Sequence, residues 1–518
     1  MAKKTETKKI SWWEKYREII FFKILFLLSA LRFVIFGFKY FPQLQDYRNY
    51  YGYNALFSGF PTSLLITRPL HGVFNYFVWS KFWGLLIIPA LIMAALLTAS
   101  AWLLYKVCTR RFGSGVIFAT IIALSSTTLE GTYWLTASTR VVSGLFFASL
   151  AIFFFDRFLS SDKKRNIILA GVFGLICICF HEQAFVFATV FAIILTILDK
   201  KNLVWPTSFL VACTAIYLVI TKGGEWQPMV FPINGKYFTY YLPIAFRQFG
   251  KALITAPLSI ITTGFGRGIQ IMFSEGIYWY LLTSALLIAA AIFFSKSERK
   301  KSNLGIFLGL ALIIAPLLSF LFLRDAWVSL WTTVLCLPGI ALAFDSFLSG
   351  FKKGYPVILG IIMVVFMVSS VSEIYDYKLT CEDDQRIVTD LANTLRSMWL
   401  DQVNSIVILG IDSNRLETQN YPYHEHIQGI GSNDKLFKDA YCAVNKTYLP
   451  QSLTPVPEGK SVSADSVMNG DLYLNYSEGN VAFWLAVKNG NEIFLEDENY
   501  HGGRIYINSE GYAVFVKD

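Results

Sequence analysis

The sequence predicts an all-α polytopic membrane domain of about eleven transmembrane helices, followed by a small extracytoplasmic α/β domain. Three observations predict this. The 518 residues are 54% hydrophobic and only 16% charged, with a mean hydropathy of +0.48, whereas a soluble chain carries about 25% charge. Apolar runs of roughly the 20 residues that a bilayer core requires recur along the first 374 positions. Charge also divides the chain: residues 1–374 hold 34 Lys+Arg against 15 Asp+Glu, and residues 375–518 hold 11 against 21. The net charge of +9 is therefore a basic membrane body joined to an acidic tail, and gives no sign of a nucleic-acid partner. The same composition excludes disorder, collagen and a disulfide scaffold.

Residues 1–20 form a basic N-terminus, and residues 21–374 the membrane domain. Spans are expected at about 21–38, 84–107, 112–129, 141–159, 166–180, 184–198, 203–221, 277–295, 304–322, 332–348 and 356–374. Five short loops are rich in Lys and Arg: Lys106 to Arg111, Lys163-Lys164-Arg165, Lys200-Lys201, Arg299-Lys300-Lys301 and Lys352-Lys353. All five fall on the side of Lys3, Lys4, Lys8 and Lys9, which places the N-terminus in the cytoplasm. An odd number of spans then puts the tail outside. The first span is too long for a cleaved signal peptide and is expected to remain as an anchor.

Two outer loops, 39–83 and 222–276, are much larger than a turn needs and rich in aromatics, as expected for short helices lying in the interface. The tail, 375–518, reads as a soluble domain. A helical stretch near Asp383–Leu400 precedes a strand-like run at 405–410, and alternating segments follow near 471–476, 481–487, 504–508 and 512–516. Five cysteines lie in or beside spans. Cys381 and Cys442 lie in the tail, where an outside location permits a disulfide whose geometry the sequence does not fix. No internal repeat, phosphate-cradling glycine motif or zinc-type spacing is evident.

Candidate chemistry gathers in the outer segments. Asp46 is the only acid between Glu18 and Glu130 and lies among tyrosines, with Arg48 and Arg68 in the same loop. A carboxylate beside basic groups at the membrane surface stays ionised and can serve as a general base, though many loop aspartates are simply solvated or salt-bridged. Arg32 falls inside the first span, where a charge is expensive and either functional or snorkelling. His181-Glu182 joins two spans through a short turn. It offers two ligands, too few for a metal site, so a divalent metal has no support in the sequence. The tail's His424-Glu425-His426 would need further ligands too. No other cofactor is indicated.

The first span, a long outer loop with an early Asp, and Arg68-Pro69-Leu70 entering an interfacial helix resemble the GT-C membrane glycosyltransferases. The similarity is greatest to bacterial GtrII-like members that use polyprenyl-phosphate sugars. The Glu130-to-Arg140 stretch with Trp134, and Phe180-His181-Glu182-Gln183, are similar to stretches in some relatives, whereas Gln45-Asp46 replaces the paired acid that many carry. The resemblance implies an inverting transfer of a sugar from a polyprenyl-phosphate donor to an envelope glycan or glycolipid acceptor. Asp46 would be the base, and Arg68, with Arg267 and Arg324, would hold the donor phosphate. Arg48, Glu130, Trp134, Arg140, His181 and Glu182 would place substrate. The competing readings are a lipid-linked-sugar flippase or other transporter, a scaffold whose tail recruits partners, and a glycan polymerase of related architecture. A transporter should carry several charges deep in its spans, and only Arg32 is clearly placed there.

Overall fold

The computed structural model describes residues 12–52, 68–201, 204–221, 235–295, 304–322, 328–351, 354–396, 403, 405–411, 434–457, 462–463, 471–477, 480–489, 492–496, 503–507 and 512–517. They form two compact units. The first comprises the described residues within Met1–Tyr40, Pro61–Val78 and Gly84–Tyr375; the second, those within Phe41–Phe60, Trp79–Trp83 and Asp376–Asp518.

The first unit is a helical membrane body. Among the described residues, six helices are long and apolar enough to cross a bilayer: Ile87–Phe112, Leu135–Ser161, Tyr237–Ser274, Leu304–Leu321, Leu330–Gly350 and Tyr355–Leu395. Glu182–Leu198, Pro206–Ile216 and Tyr278–Phe294 are apolar but shorter. The expectation of eleven spans is corrected accordingly. Two differences are visible. Tyr237–Ser274 is a 38-residue helical stretch inside the segment read as an outer loop with short interfacial helices. The expected span at 112–129 is instead a nine-residue helix, Val116–Leu124, followed by a tight turn at Ser126–Thr128 and a short helix, Leu129–Thr132.

That nine-residue helix explains Arg32. At 1.5 Å per residue it covers about 14 Å, about half of a bilayer core, so it does not cross the membrane by itself. Its sequence is apolar and every residue is buried. Its orphan backbone groups are met by protein instead. At the start, the Gly115 N–H donates to Asp345 Oδ2 (2.7 Å) and the Ile117 N–H to the Tyr355 hydroxyl (2.7 Å). At the finish, the fully buried Arg32 donates to the carbonyls of Ala123 (2.8 Å), Leu124 (2.7 Å) and Ser125 (3.3 Å). An anion at the N-terminus and a cation at the C-terminus both oppose the helix dipole. Arg32 is thus engaged by a helix end.

The helix ends bearing basic loops are tied together. Arg111 bridges Asp156 (2.5 Å) and Asp199 (2.6 Å), and Arg110 also pairs with the buried Asp156. Lys201 pairs with Asp162 (3.2 Å) and Lys106 with Glu18. Arg17 donates to the Phe293 (3.1 Å), Phe294 (3.2 Å) and Ser295 carbonyls at the end of Tyr278–Phe294. Elsewhere backbones meet directly: a Cβ on Gly309 would lie 2.7 Å from the Gly339 oxygen and the Ala343 nitrogen. Only glycine permits that approach between Leu304–Ile314 and Leu337–Phe347.

The second unit is α/β. It takes in the Tyr355–Leu395 helix from Asp376 onward, and a five-stranded sheet of β1 (Ser405–Ile411), β2 (Ser452–Pro457), β4 (Asp471–Ser477), β5 (Asn480–Asn489) and β6 (Glu492–Glu496). The order is β2-β1-β4-β5-β6, with β1 parallel to both neighbours and β4, β5 and β6 antiparallel. β1 reads as a continuous apolar run because it is a central parallel strand. β4 alternates, burying Leu472, Leu474 and Tyr476. β3 (Val462–Ser463), β7 (Gly503–Ile507) and β8 (Tyr512–Lys517) form a second sheet. The helix Asp434–Asn445 packs Phe437, Ala440 and Tyr441 into the core. Tyr47, from the first outer loop, joins that core, with Tyr51 and Trp83 against it. Cys381 and Cys442 are both free and buried.

Candidate functional site

The charged and aromatic residues expected outside are distributed over both units. In the first unit, Arg68 stands at the head of the short helix Pro69–Val73. The following proline keeps Arg68 out of the helical region (φ −139°, ψ 75°) and sets its side chain at the entry of the turn. Its guanidinium grips Glu182 with two bonds, Nε to Oε2 at 2.9 Å and Nη2 to Oε1 at 2.5 Å. Both side chains are part exposed, 23% and 32%.

Glu182 opens the helix Glu182–Leu198, which follows Lys164–Phe180 after a single extended residue, His181 (φ −159°, ψ 114°). His181 is buried at 1% exposure, and its Nδ1 lies 3.6 Å from Glu182 Oε2. Neither of its ring nitrogens makes a hydrogen bond. His71, also buried, places Nε2 3.2 Å from the Thr136 carbonyl and 2.8 Å from the Asn75 amide nitrogen. Burial first, then the positive charges of Arg140 and Arg68, push His71 down to about 3, so it is a neutral imidazole at physiological pH.

Arg140 lies with its guanidinium carbon 3.7 Å from the centre of the Trp331 ring, and the His181 ring sits 6.0 Å from the same indole. Trp331 belongs to the turn Leu330–Cys336. Gly131 is set against it: a Cβ there would lie 2.7 Å from the Trp331 carbonyl oxygen and 2.6 Å from Val334 Cγ2. Glu130 and Trp134 are buried beside Gly131, on the link to Leu135–Ser161. That link is held by the Leu135 N–H donating to the Tyr40 hydroxyl (2.8 Å) and by Tyr133 packed on Tyr40 and Phe33.

Arg68, Arg140, His181 and Glu182 thus come together from three chain segments. Of the other expected residues, Glu130 and Trp134 lie on the link that carries Gly131. Arg267 donates to Ser372 (3.2 Å) and lies over Tyr375. Arg324, and His424, Glu425 and His426, lie outside the described residues. Asp46 and Arg48 belong to the second unit. Asp46 is fully buried and closes a tight turn: its Oδ2 accepts the Gln43 N–H (3.1 Å), while its own N–H donates to the Gln43 carbonyl (2.7 Å). Within that turn Leu44 adopts φ +32°. Arg48 lies 3.9 Å from Asp439, whose carboxyl is raised to about 6 because burial outweighs the arginine.

His71, Asn75 and Trp331 are members that sequence reasoning missed. His71 sits three residues after Arg68, in the first turn of the helix that Arg68 precedes. Trp331 lies just before an expected span and reads as an interface aromatic. Chemically, the cluster offers two guanidinium forks suited to carboxylate or phosphate, two imidazoles and one carboxylate. Among the described residues, no three His, Cys, Asp or Glu side chains group as a metal site. No protein-family model matches the chain, and no curated protein matches it.

Proposed function

We propose that this membrane protein is a glycosyltransferase of GT-C type. It moves a sugar from a polyprenyl-phosphate donor to an envelope polysaccharide or glycolipid on the outer face of the cell membrane. The N-terminus is cytoplasmic and the C-terminal domain extracytoplasmic in this reading. The observation that carries it is the convergence of Arg68, Arg140, His181 and Glu182 beside Trp331. They meet at helix ends opposite those where the basic loops are paired, which is the side that the loop charges assign to the exterior.

In the reaction, the acceptor hydroxyl gives its proton to a carboxylate and its oxygen attacks the anomeric carbon. The bond from that carbon to the phosphate breaks, and the phosphate leaves with the electron pair. Arginine forks offset the charge that develops on it. Asp46 is the proposed base. Asparagine at this position keeps an oxygen for the Gln43 N–H and removes the ionisable group.

The test is complementation of a deletion strain with wild type or Asp46→Asn at equal membrane abundance, followed by sugar and linkage analysis of the envelope glycans. A substituent lost on deletion, restored by wild type and absent with Asp46→Asn is the expected result. Full restoration by Asp46→Asn removes Asp46 as base, and an unchanged glycan profile on deletion removes the transferase reading.

A further inference from the structure

We propose that Glu182 occupies the Arg68 fork as an exchangeable stand-in for a phosphate ester, and that ligand binding transfers the carboxylate from Arg68 to His181. This rests on the reading that the cluster receives a lipid-linked phosphate, and adds a self-blocked resting state to it. The argument begins with geometry. A guanidinium presents two parallel N–H groups that match a carboxylate and a phosphate equally well. In the structure both Glu182 oxygens sit on that fork, at 2.9 and 2.5 Å. A phosphate that uses the same two N–H groups must displace them.

Three features make the displacement feasible. The pair is part exposed, so an entering headgroup reaches it without opening the core. The displaced carboxylate has a second partner in place, since His181 Nδ1 is already 3.6 Å from Oε2 and has no hydrogen bond of its own. In the Nδ1–H tautomer it is a donor toward which the carboxylate turns as it leaves the fork. Third, Arg140 lies nearby, held over the Trp331 face, and its charge reaches both histidines. The cluster therefore keeps a cationic character that favours an anion once Glu182 has moved. No proton is gained or lost in the exchange: one ion pair is replaced by an Arg68–phosphate pair and a Glu182–His181 hydrogen bond.

The exchange makes an unusual prediction: removing a charged residue at the site should tighten binding. The full-length protein is placed in phosphatidylcholine nanodiscs containing polyprenyl monophosphate, and binding is read by thermal stabilisation and native mass spectrometry. Glu182→Gln, which keeps a hydrogen-bonding side chain but loses the competing charge, should bind roughly two- to fivefold more tightly than wild type, the worth of a part-exposed ion pair. Arg68→Gln should lose binding, and Arg68→Gln with Glu182→Gln should resemble Arg68→Gln alone. Inorganic phosphate added to discs without the polyprenyl lipid separates the two sources of phosphate: tightening with the lipid alone assigns the seat to a headgroup, and equal tightening with both assigns it to free phosphate.

Unchanged or weaker binding by Glu182→Gln, with wild type binding normally, overturns the exchange and leaves the donor reading standing. Failure of both wild type and Glu182→Gln to bind either probe removes the donor reading itself. Wild-type affinity in Arg68→Gln overturns the seat. Unliganded melting temperatures of each variant, required to match wild type, exclude misfolding as the cause of any loss.

Discussion

The two ends of the helical body use charge differently. At the basic end, each acid described above is held by a nearby cation or a helix terminus: Asp156 by Arg110 and Arg111, Asp199 by Arg111, Asp162 by Lys201, Glu18 by Lys106, and Asp345 by the Gly115 N–H. At the other end one carboxylate, Glu182, is within reach of both Arg68 and His181, and Arg140 rests on an indole. The first arrangement locks helices; the second holds alternatives open. What differs is whether a carboxylate's second partner is already paired with it, as for Asp156, or stands within reach, as His181 does for Glu182.

The largest effect should come from the locks. Arg32→Met strands the carbonyls at 123–125 in an apolar interior, and should cost about 3–5 kcal/mol in a detergent-solubilised unfolding titration. A loss under 1 kcal/mol would show that the nine-residue helix does not depend on its caps. Asp156→Asn, which leaves Arg110 and Arg111 without their shared buried anion, should cost about 3 kcal/mol. If it proves as mild as an exposed-pair deletion, the contrast between the ends disappears.

The second unit offers a sharper version of the contest between burial and pairing. Arg48 stands 3.9 Å from Asp439, too far for a fork, and burial prevails. The folded carboxyl titrates at about 6 against 3.8 unfolded. The folded state thus holds its proton longer, and stability falls as pH rises from about 4 to about 6, then levels. Asp439→Asn should therefore raise the melting temperature at pH 7.5, by the equivalent of about 2 kcal/mol after allowing for part exposure, and should change little at pH 4. An equal gain at both pH values would mean that the carboxylate is not penalised.

Gly131→Ala is the smallest predicted effect on stability, about 1–2 kcal/mol, because a methyl group meets the Trp331 backbone and Val334. If the proposed function holds, it should also lower sugar transfer in protein of normal abundance, since Trp331 carries Arg140 and faces His181. Wild-type transfer by a normally abundant Gly131→Ala protein would detach Trp331 from the site.

What sequence could reveal follows from how local each signal is. The apolar helices, the helical tail entry and the strands at 405–411, 471–477, 480–489, 503–507 and 512–517 announce themselves by periodicity over a few residues. β2 did not, because Pro455 and Pro457 sit in it and an edge strand tolerates them. The Val116–Leu124 helix was misread as part of a full span because its caps, Arg32 and Asp345, are distant in sequence. Arg68 and Glu182 were each visible as outer-end charges, but their pairing over 114 positions was not. Asp46 stood out as the lone acid of a long loop, whereas its burial in a closed turn is a property of packing.

The nine-residue helix also dictates an order of assembly. Its C-terminal cap is made 91 to 93 residues before the carbonyls it serves, so Arg32 enters the membrane and waits. Its N-terminal cap is synthesised 230 residues after Gly115. Until Asp345 has been made, then, this segment is too short to insert alone and is sealed at one end only. The body closes when the helix bearing Asp345 arrives and Tyr355 follows it. A nascent chain stopped short of that point carries an open helix terminus, which membrane quality control could recognise as unfinished work.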